Sequence, residues 1–322
     1  MDDAAMKKAM RRRLGSTGWS ILLYYVLLNV CVILSVAVEA VIRMLDVLPT
    51  MDWDAMMAAG MEAAASAWGY FLATAIGLLI LLAWKKPKFW REQIWARGKP
   101  MKCGDFFTIL AIFLTAQLFY QFYVIGLEMG LNCLGLTLMD GLELMTVPGD
   151  SFSMFLYMGI LAPVAEELLC RGLLLRTLMP YGKRIAVVGS AFLFAMFHGN
   201  ILQTPFAFLV GLVLGYVAAE YSVAWAMVLH MVNNLVLGDM LPRLFPDEMV
   251  CSAVLWAVLL ASAIAAVVVL IRRRGEITAW RQRNPMNSAV CSVFFGSGGV
   301  ITFTVLMALS MIATCLTLIT PL

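Results

Sequence analysis

Apolar runs of membrane-crossing length, separated by short polar links, repeat along the whole chain. The first covers residues 19–42, the second 65–84 and the third 105–127. A longer run goes from Phe152 to Met179. Short runs follow at 185–200, 205–219 and 223–241, then longer ones at 250–271 and 299–319. About 20 apolar residues of helix cross the roughly 30 Å hydrocarbon layer. In lipid the backbone must satisfy its own N–H and C=O groups, so such runs are helices. The alternating ten-residue segments of a membrane barrel are not found. The pattern predicts an all-α, polytopic integral membrane helical bundle of eight or nine transmembrane helices, with the fourth to seventh as its centre.

The polar links sort by charge. Lys7, Lys8, Arg11, Arg12 and Arg13 precede the first run, and Lys85, Lys86, Lys88, Arg91, Arg97, Lys99 and Lys102 follow the second. Arg176, Lys183 and Arg184 follow the fourth, and Arg272, Arg273, Arg274, Arg281 and Arg283 follow the eighth. The alternate links are acidic, with Asp46, Asp52, Asp54 and Glu62, then Glu128, Asp140, Glu143 and Asp150. Basic links stay on the cytoplasmic side, so the expected N-terminus is cytoplasmic, and only Arg43 and Arg243 fall opposite. Trp84, Trp90 and Trp95 suit an aromatic belt at the basic face.

The first run is expected to be a retained anchor, because it is long and no clear small-x-small cleavage site follows it. Composition agrees with membrane residence: 62% of residues are hydrophobic and 13% charged, against about 45–50% and 25% in soluble domains. The expected location is the cell membrane, with lipid as a partner and no nucleic acid. One integral membrane domain over 1–322 is expected, with flanking helices 1–150, a core 151–242 and C-terminal helices 243–322. The seven cysteines are scattered without a CxxC pair, so neither a disulfide framework nor a cysteine zinc site is indicated.

Against this greasy background a few ionisable residues stand out. Glu166, Glu167 and Arg171 lie inside the fourth run, just after Pro163. Charges at such depth cost about 2.5–3.5 kcal/mol each on insertion scales and need partners or a purpose. Pro163 predicts a kink or a restarted helix ahead of the carboxylates. Glu167 and Arg171 are four apart and share a helix face, which leaves Glu166 turned about 100° away. Two adjacent carboxylates resist ionising together, and the arginine favours charge on its partner. That asymmetry suits a general base beside a structural carboxylate, although a buried ion pair locking two helices also accounts for Glu167–Arg171. His198 and His230 are the two histidines of the chain. Each alone reads as a hydrogen-bonded packing residue. His230 and Asn234, four apart, also form a pair able to hold an oxyanion or orient a water. No His-Glu-x-x-His helix is found, and Gly296-Ser297-Gly298 lacks a following histidine. The twenty-three methionines read as packing residues.

Glu166-Glu167-x-x-x-Arg171, Phe194-x-x-x-His198 and His230-x-x-x-Asn234 together resemble the three ordered motifs of the CPBP family. That family comprises CAAX prenyl endopeptidases and bacteriocin-processing or self-immunity proteins, also called the Abi family. The resemblance covers about residues 155–240, with Cys170 standing where the family is often aromatic. It implies an intramembrane endopeptidase with a four-helix catalytic centre. Glu166 with His198 would activate a water, His230 and Asn234 would stabilise the oxyanion, and Glu167 and Arg171 would support the site. The implied substrate is a membrane-associated peptide or protein. No cofactor is required on this expectation. The alternative is a Zn²⁺ held by Glu166, His198 and His230, which are adequate ligands. Two non-proteolytic alternatives stand beside it: a membrane scaffold or bacteriocin self-immunity protein of the same fold, and a proton or solute path.

Overall fold

The computed structural model describes residues 3–64, 66–94, 96, 98–139 and 151–322. Trp95, Arg97, Asp140, Glu143 and Asp150, expected to mark the two membrane faces, lie outside the described residues.

Helix α1 (Asp3–Val47) is 45 residues long. The basic residues ahead of the first apolar run are therefore the opening of the same helix. Its Ala, Met, Lys and Arg residues are strong helix formers, and Met10 and Leu14 are buried in the core. The acidic link after it is also not a loop. A 3₁₀ turn, Leu48–Thr50, and a left-handed Met51 reverse the chain into α2 (Trp53–Ala64). Asp52 Oδ1 accepts from the backbone N–H groups of Asp54 and Ala55 and starts α2 as an N-cap. Arg43 ties the two helices by donating to Glu39 at 2.8 Å and Glu62 at 2.6 Å.

Next come α3 (Trp68–Trp84), α4 (Pro87–Gln93) and α5 (Cys103–Asn132). The long apolar run forms one helix, α6 (Phe152–Tyr181), capped by Ser151, whose hydroxyl accepts from Met154 N–H at 3.1 Å. Then follow α7 (Lys183–Phe197), α8 (Gln203–Glu220) and α9 (Val223–Leu244). The chain closes with α10 (Glu248–Arg272), α11 (Arg274–Arg283), α12 (Ser288–Phe295) and α13 (Gly298–Leu318). Two short strands, β1 (Leu136–Thr137) and β2 (Thr320–Pro321), pair antiparallel beside the end of α5.

Among the described residues eight helical stretches are long and apolar enough to cross a membrane, and the chain is an all-α polytopic integral membrane protein. The run at 185–200 is the exception. It gives α7, only 15 residues long, whose inward face is wholly buried against α8. Gly211 and Gly215 make that packing possible. A Cβ on Gly211 would lie 3.1 Å from Ala191 Cα, and one on Gly215 would lie 3.2 Å from Val187. Elsewhere α1 packs on α3 and α13, and α5 packs on α8 and α10. At the α1–α13 crossing, Gly18 and Gly299 touch backbone to backbone.

Pro163 neither breaks α6 nor restarts it. The helix widens to π bonding over Tyr157–Leu161, returns to α over Ala162–Glu167, and widens again over Leu168–Leu175. The wider winding accommodates the residue without an N–H. Helix α9 does the same, passing from α to π at Asn233–Met240.

Candidate active site

Glu167 and Arg171 form the floor of the site. Both side chains are fully buried, and Arg171 Nη1 donates to Glu167 Oε1 at 2.7 Å. Arg171 Nη2 donates to the Gly211 carbonyl at 3.2 Å, and the guanidinium lies 4.3 Å from the Phe194 ring centroid. The ion pair therefore anchors α6 to α7 and α8. Glycine at 211 lets α8 lie close to Ala191 of α7, beside the carbonyl that the guanidinium reaches.

The same carboxylate oxygen also receives α9. His230 Nδ1–H donates to Glu167 Oε1 at 3.0 Å. With Nδ1 committed as a donor, Nε2 of the neutral ring is the acceptor, and it lies 3.8 Å from Glu166 Oε2. The two neighbouring carboxylates are thus unlike. Glu167 is sealed and bonded, whereas Glu166 is 23% exposed and faces the open nitrogen of His230.

His198 ends α7. Gly199, with φ 59°, turns the chain, and its N–H bonds to the Met196 carbonyl. His198 Nδ1–H donates to the Phe194 carbonyl at 2.9 Å, so this imidazole also leaves Nε2 as an acceptor. Phe194 stands between the two histidines. Its ring meets His198 edge-on at 5.0 Å and His230 edge-on at 5.8 Å. His198 lies within electrostatic reach of Glu166, His230 and Arg171. One aromatic ring and one ion pair thus bring five of the six expected side chains together.

Asn234 is the sixth, and like His230 it reaches α6. Asn234 Nδ2 donates to the Met158 carbonyl at 3.0 Å, and its Oδ1 accepts from Asn233 Nδ2 at 3.1 Å. One amide hydrogen of Asn234 is left for other use.

Two phenols also belong to this neighbourhood, and the residue pattern did not single them out. Tyr24 on α1 and Tyr157 on α6 are both electrostatic neighbours of Glu166. Isolated tyrosines in apolar helices carry no spacing signal, so only the packing of α1 against α6 finds them. Among the described residues no three His, Cys, Asp or Glu side chains converge closely enough to ligate one metal ion. The expected zinc set of Glu166, His198 and His230 does not meet that condition, and no step below runs through a metal.

No curated protein and no solved structure matches the chain. Residues 148–236, which carry all six of these side chains, match the family model described as Rce1-like, type II CAAX prenyl endopeptidase Rce1-like, and this match supports membership of the CPBP family of intramembrane proteases.

Proposed function

We propose that this protein hydrolyses a peptide bond within a membrane-associated peptide or protein, using a water activated by Glu166 and His198 without a metal. The observation that carries this reading is the unequal pair: Glu167 is buried under Arg171 and His230, and Glu166 is the partly open carboxylate beside His230 Nε2. A base must reach a water, and Glu166 alone of the two is open to one. Proton transfer by a positioned group of this kind contributes about 10²–10⁴-fold.

In the proposed cycle the water gives a proton to Glu166 while its oxygen bonds to the peptide carbonyl carbon. His198 Nε2, an acceptor, holds the water's second hydrogen and fixes its direction. The oxyanion takes a hydrogen bond from the remaining N–H of Asn234, with His230 beside it. Glu167 holds the Nδ1–H of His230 and so fixes the orientation of its ring. As the C–N bond breaks, the proton on Glu166 passes to the leaving amine. Atoms balance as peptide plus water giving acid plus amine.

The test is cleavage of a peptide library by purified protein in detergent, with prenylated CAAX peptides as one arm because the matching family model names that activity. Cleavage that survives Glu166→Gln rejects the proposal. Cleavage that a zinc chelator abolishes and added zinc restores rejects its metal-free part.

A further inference from the structure

A second cavity, of about 510 Å³, lies between α5, α7, α8, α10 and α11, and none of the six candidate site residues lines it. Its apolar lining comes from four different helices, with Ile112, Val188, Val213 and the exposed Leu270. Its rim is basic: Lys99, Arg184, Arg273, Arg281 and Arg283 stand against two carboxylates, Asp105 and Glu276. Tyr216 and Trp280 line it as well, which is where aromatic residues sit at a membrane–water interface.

Part of that charge is already matched. Arg273 pairs with Asp105 at 3.3 Å. Lys99 pairs at 3.2 Å with Glu220, which also accepts from Lys183 at 2.8 Å and from Trp280 Nε1 at 2.9 Å. Glu220 thereby fixes the basic link, the start of α7 and α11 around the mouth. Arg184 and Arg281 have no ion-pair partner among the described residues. An apolar chamber walled by transmembrane helices, with unmatched cations at its mouth, is complementary to one kind of molecule: an amphiphile with an anionic head. Basic pockets between helices at the cytoplasmic face hold lipid head groups by this chemistry.

We propose that this cavity binds one anionic phospholipid, with its phosphate at the rim beside Arg184 and Arg281 and acyl chain in the chamber. A soluble anion would use the rim and leave the apolar wall unfilled. A zwitterionic lipid would fill the chamber without answering the charge.

The test compares retention of phosphatidylglycerol and phosphatidylcholine by the purified full chain, offered together in equal amounts and read by native mass spectrometry, with thermal unfolding in parallel. The expected result is selective retention of phosphatidylglycerol and a raised melting temperature in its presence. Arg184→Gln with Arg281→Gln should cut the preference about thirtyfold, at roughly 1 kcal/mol per basic residue. Val213→Trp, which keeps every charge, should lose retention by filling the chamber, so the decision does not depend on the arginine variant folding. Equal retention of the two lipids overturns the proposal, as does an undiminished preference in both variants. Equal loss from Arg11→Gln with Arg12→Gln, exposed residues on α1 away from the cavity, would reduce the effect to diffuse surface charge and also overturns it. Protection by inorganic phosphate alone, without lipid, would mean a soluble-anion site and overturns it too. Cleavage is not read, so the outcome is independent of the proposed hydrolysis.

Discussion

Two isosteric substitutions at adjacent residues should have opposite consequences. Glu167→Gln removes the counter-charge of Arg171, which is fully buried and bonded at 2.7 Å, and replaces the anionic acceptor of His230. Breaking one side of a buried ion pair costs about 3–5 kcal/mol, because the remaining charge stays buried. At roughly 2–4 °C per kcal/mol the melting temperature should fall by roughly 6–20 °C. Glu166→Gln removes a partly open carboxylate that lies 3.8 Å from His230 Nε2. Its cost in stability should be within about 1 kcal/mol, whereas cleavage should fall by about 10²–10⁴ through loss of the base. Both are measured on one preparation, by thermal unfolding in detergent and by peptide cleavage. A Glu167→Gln protein that melts with the wild type and cleaves normally would refute the division of labour. So would a Glu166→Gln protein that melts early and keeps its activity.

His198→Ala and His230→Ala should each lower cleavage at least about 100-fold, and His230→Ala should also lower the melting temperature, because its Nδ1–H bonds the buried Glu167. Gly18→Val or Gly299→Val should force α1 and α13 apart at a backbone contact and cost about 1–3 kcal/mol by overpacking, read as a lower melting temperature. Glu220→Gln should cost about 1–3 kcal/mol, since the buried carboxylate of Glu220 accepts hydrogen bonds from Lys183 and Trp280 and pairs with Lys99; thermal unfolding measures it. Chelator treatment of the wild type should leave cleavage unchanged on the metal-free reading.

The helical bundle was legible because lipid leaves the backbone few choices, and hydropathy reports that directly. The Glu167–Arg171 contact was legible for a similar reason, since a four-residue spacing is a geometric statement about one helix. What spacing could not give was winding. Nothing in Tyr157–Leu161 or Asn233–Met240 announces π bonding, and each π turn shifts the faces that follow it. The contact of Asn234 with the Met158 carbonyl of another helix lies beyond any such spacing. The start of α1 at Asp3 was not legible for another reason. Lys and Arg mark water to a charge argument, yet they are good helix formers and carry α1 through without a break. The cross-helix neighbours Tyr24 and Tyr157 depend on packing between α1 and α6, on which one sequence carries no local signal.

The π stretches connect Pro163 to Asn234 through hydrogen-bond supply. In the first stretch Ala162 N–H bonds five residues back, to the Tyr157 carbonyl. The next bond in that register would run from residue 163 to the Met158 carbonyl, but proline has no N–H to give. The acceptor left open at Met158 is the one that Asn234 Nδ2 fills at 3.0 Å. A carbonyl inside a membrane helix bundle is costly to leave without a donor, so an amide from α9 is recruited to the place where the chain of α6 has none. The contact is close because Gly159 has no side chain and Leu235 occupies that space. The proline that loosens the backbone three residues before Glu166 thus also creates the acceptor that docks α9, and α9 carries His230 to the carboxylates. Proline, glycine and asparagine are in this sense one device. Its effect is to fix the register of α6 against α9, on which the 3.0 Å and 3.8 Å approaches of His230 to Glu167 and Glu166 both depend.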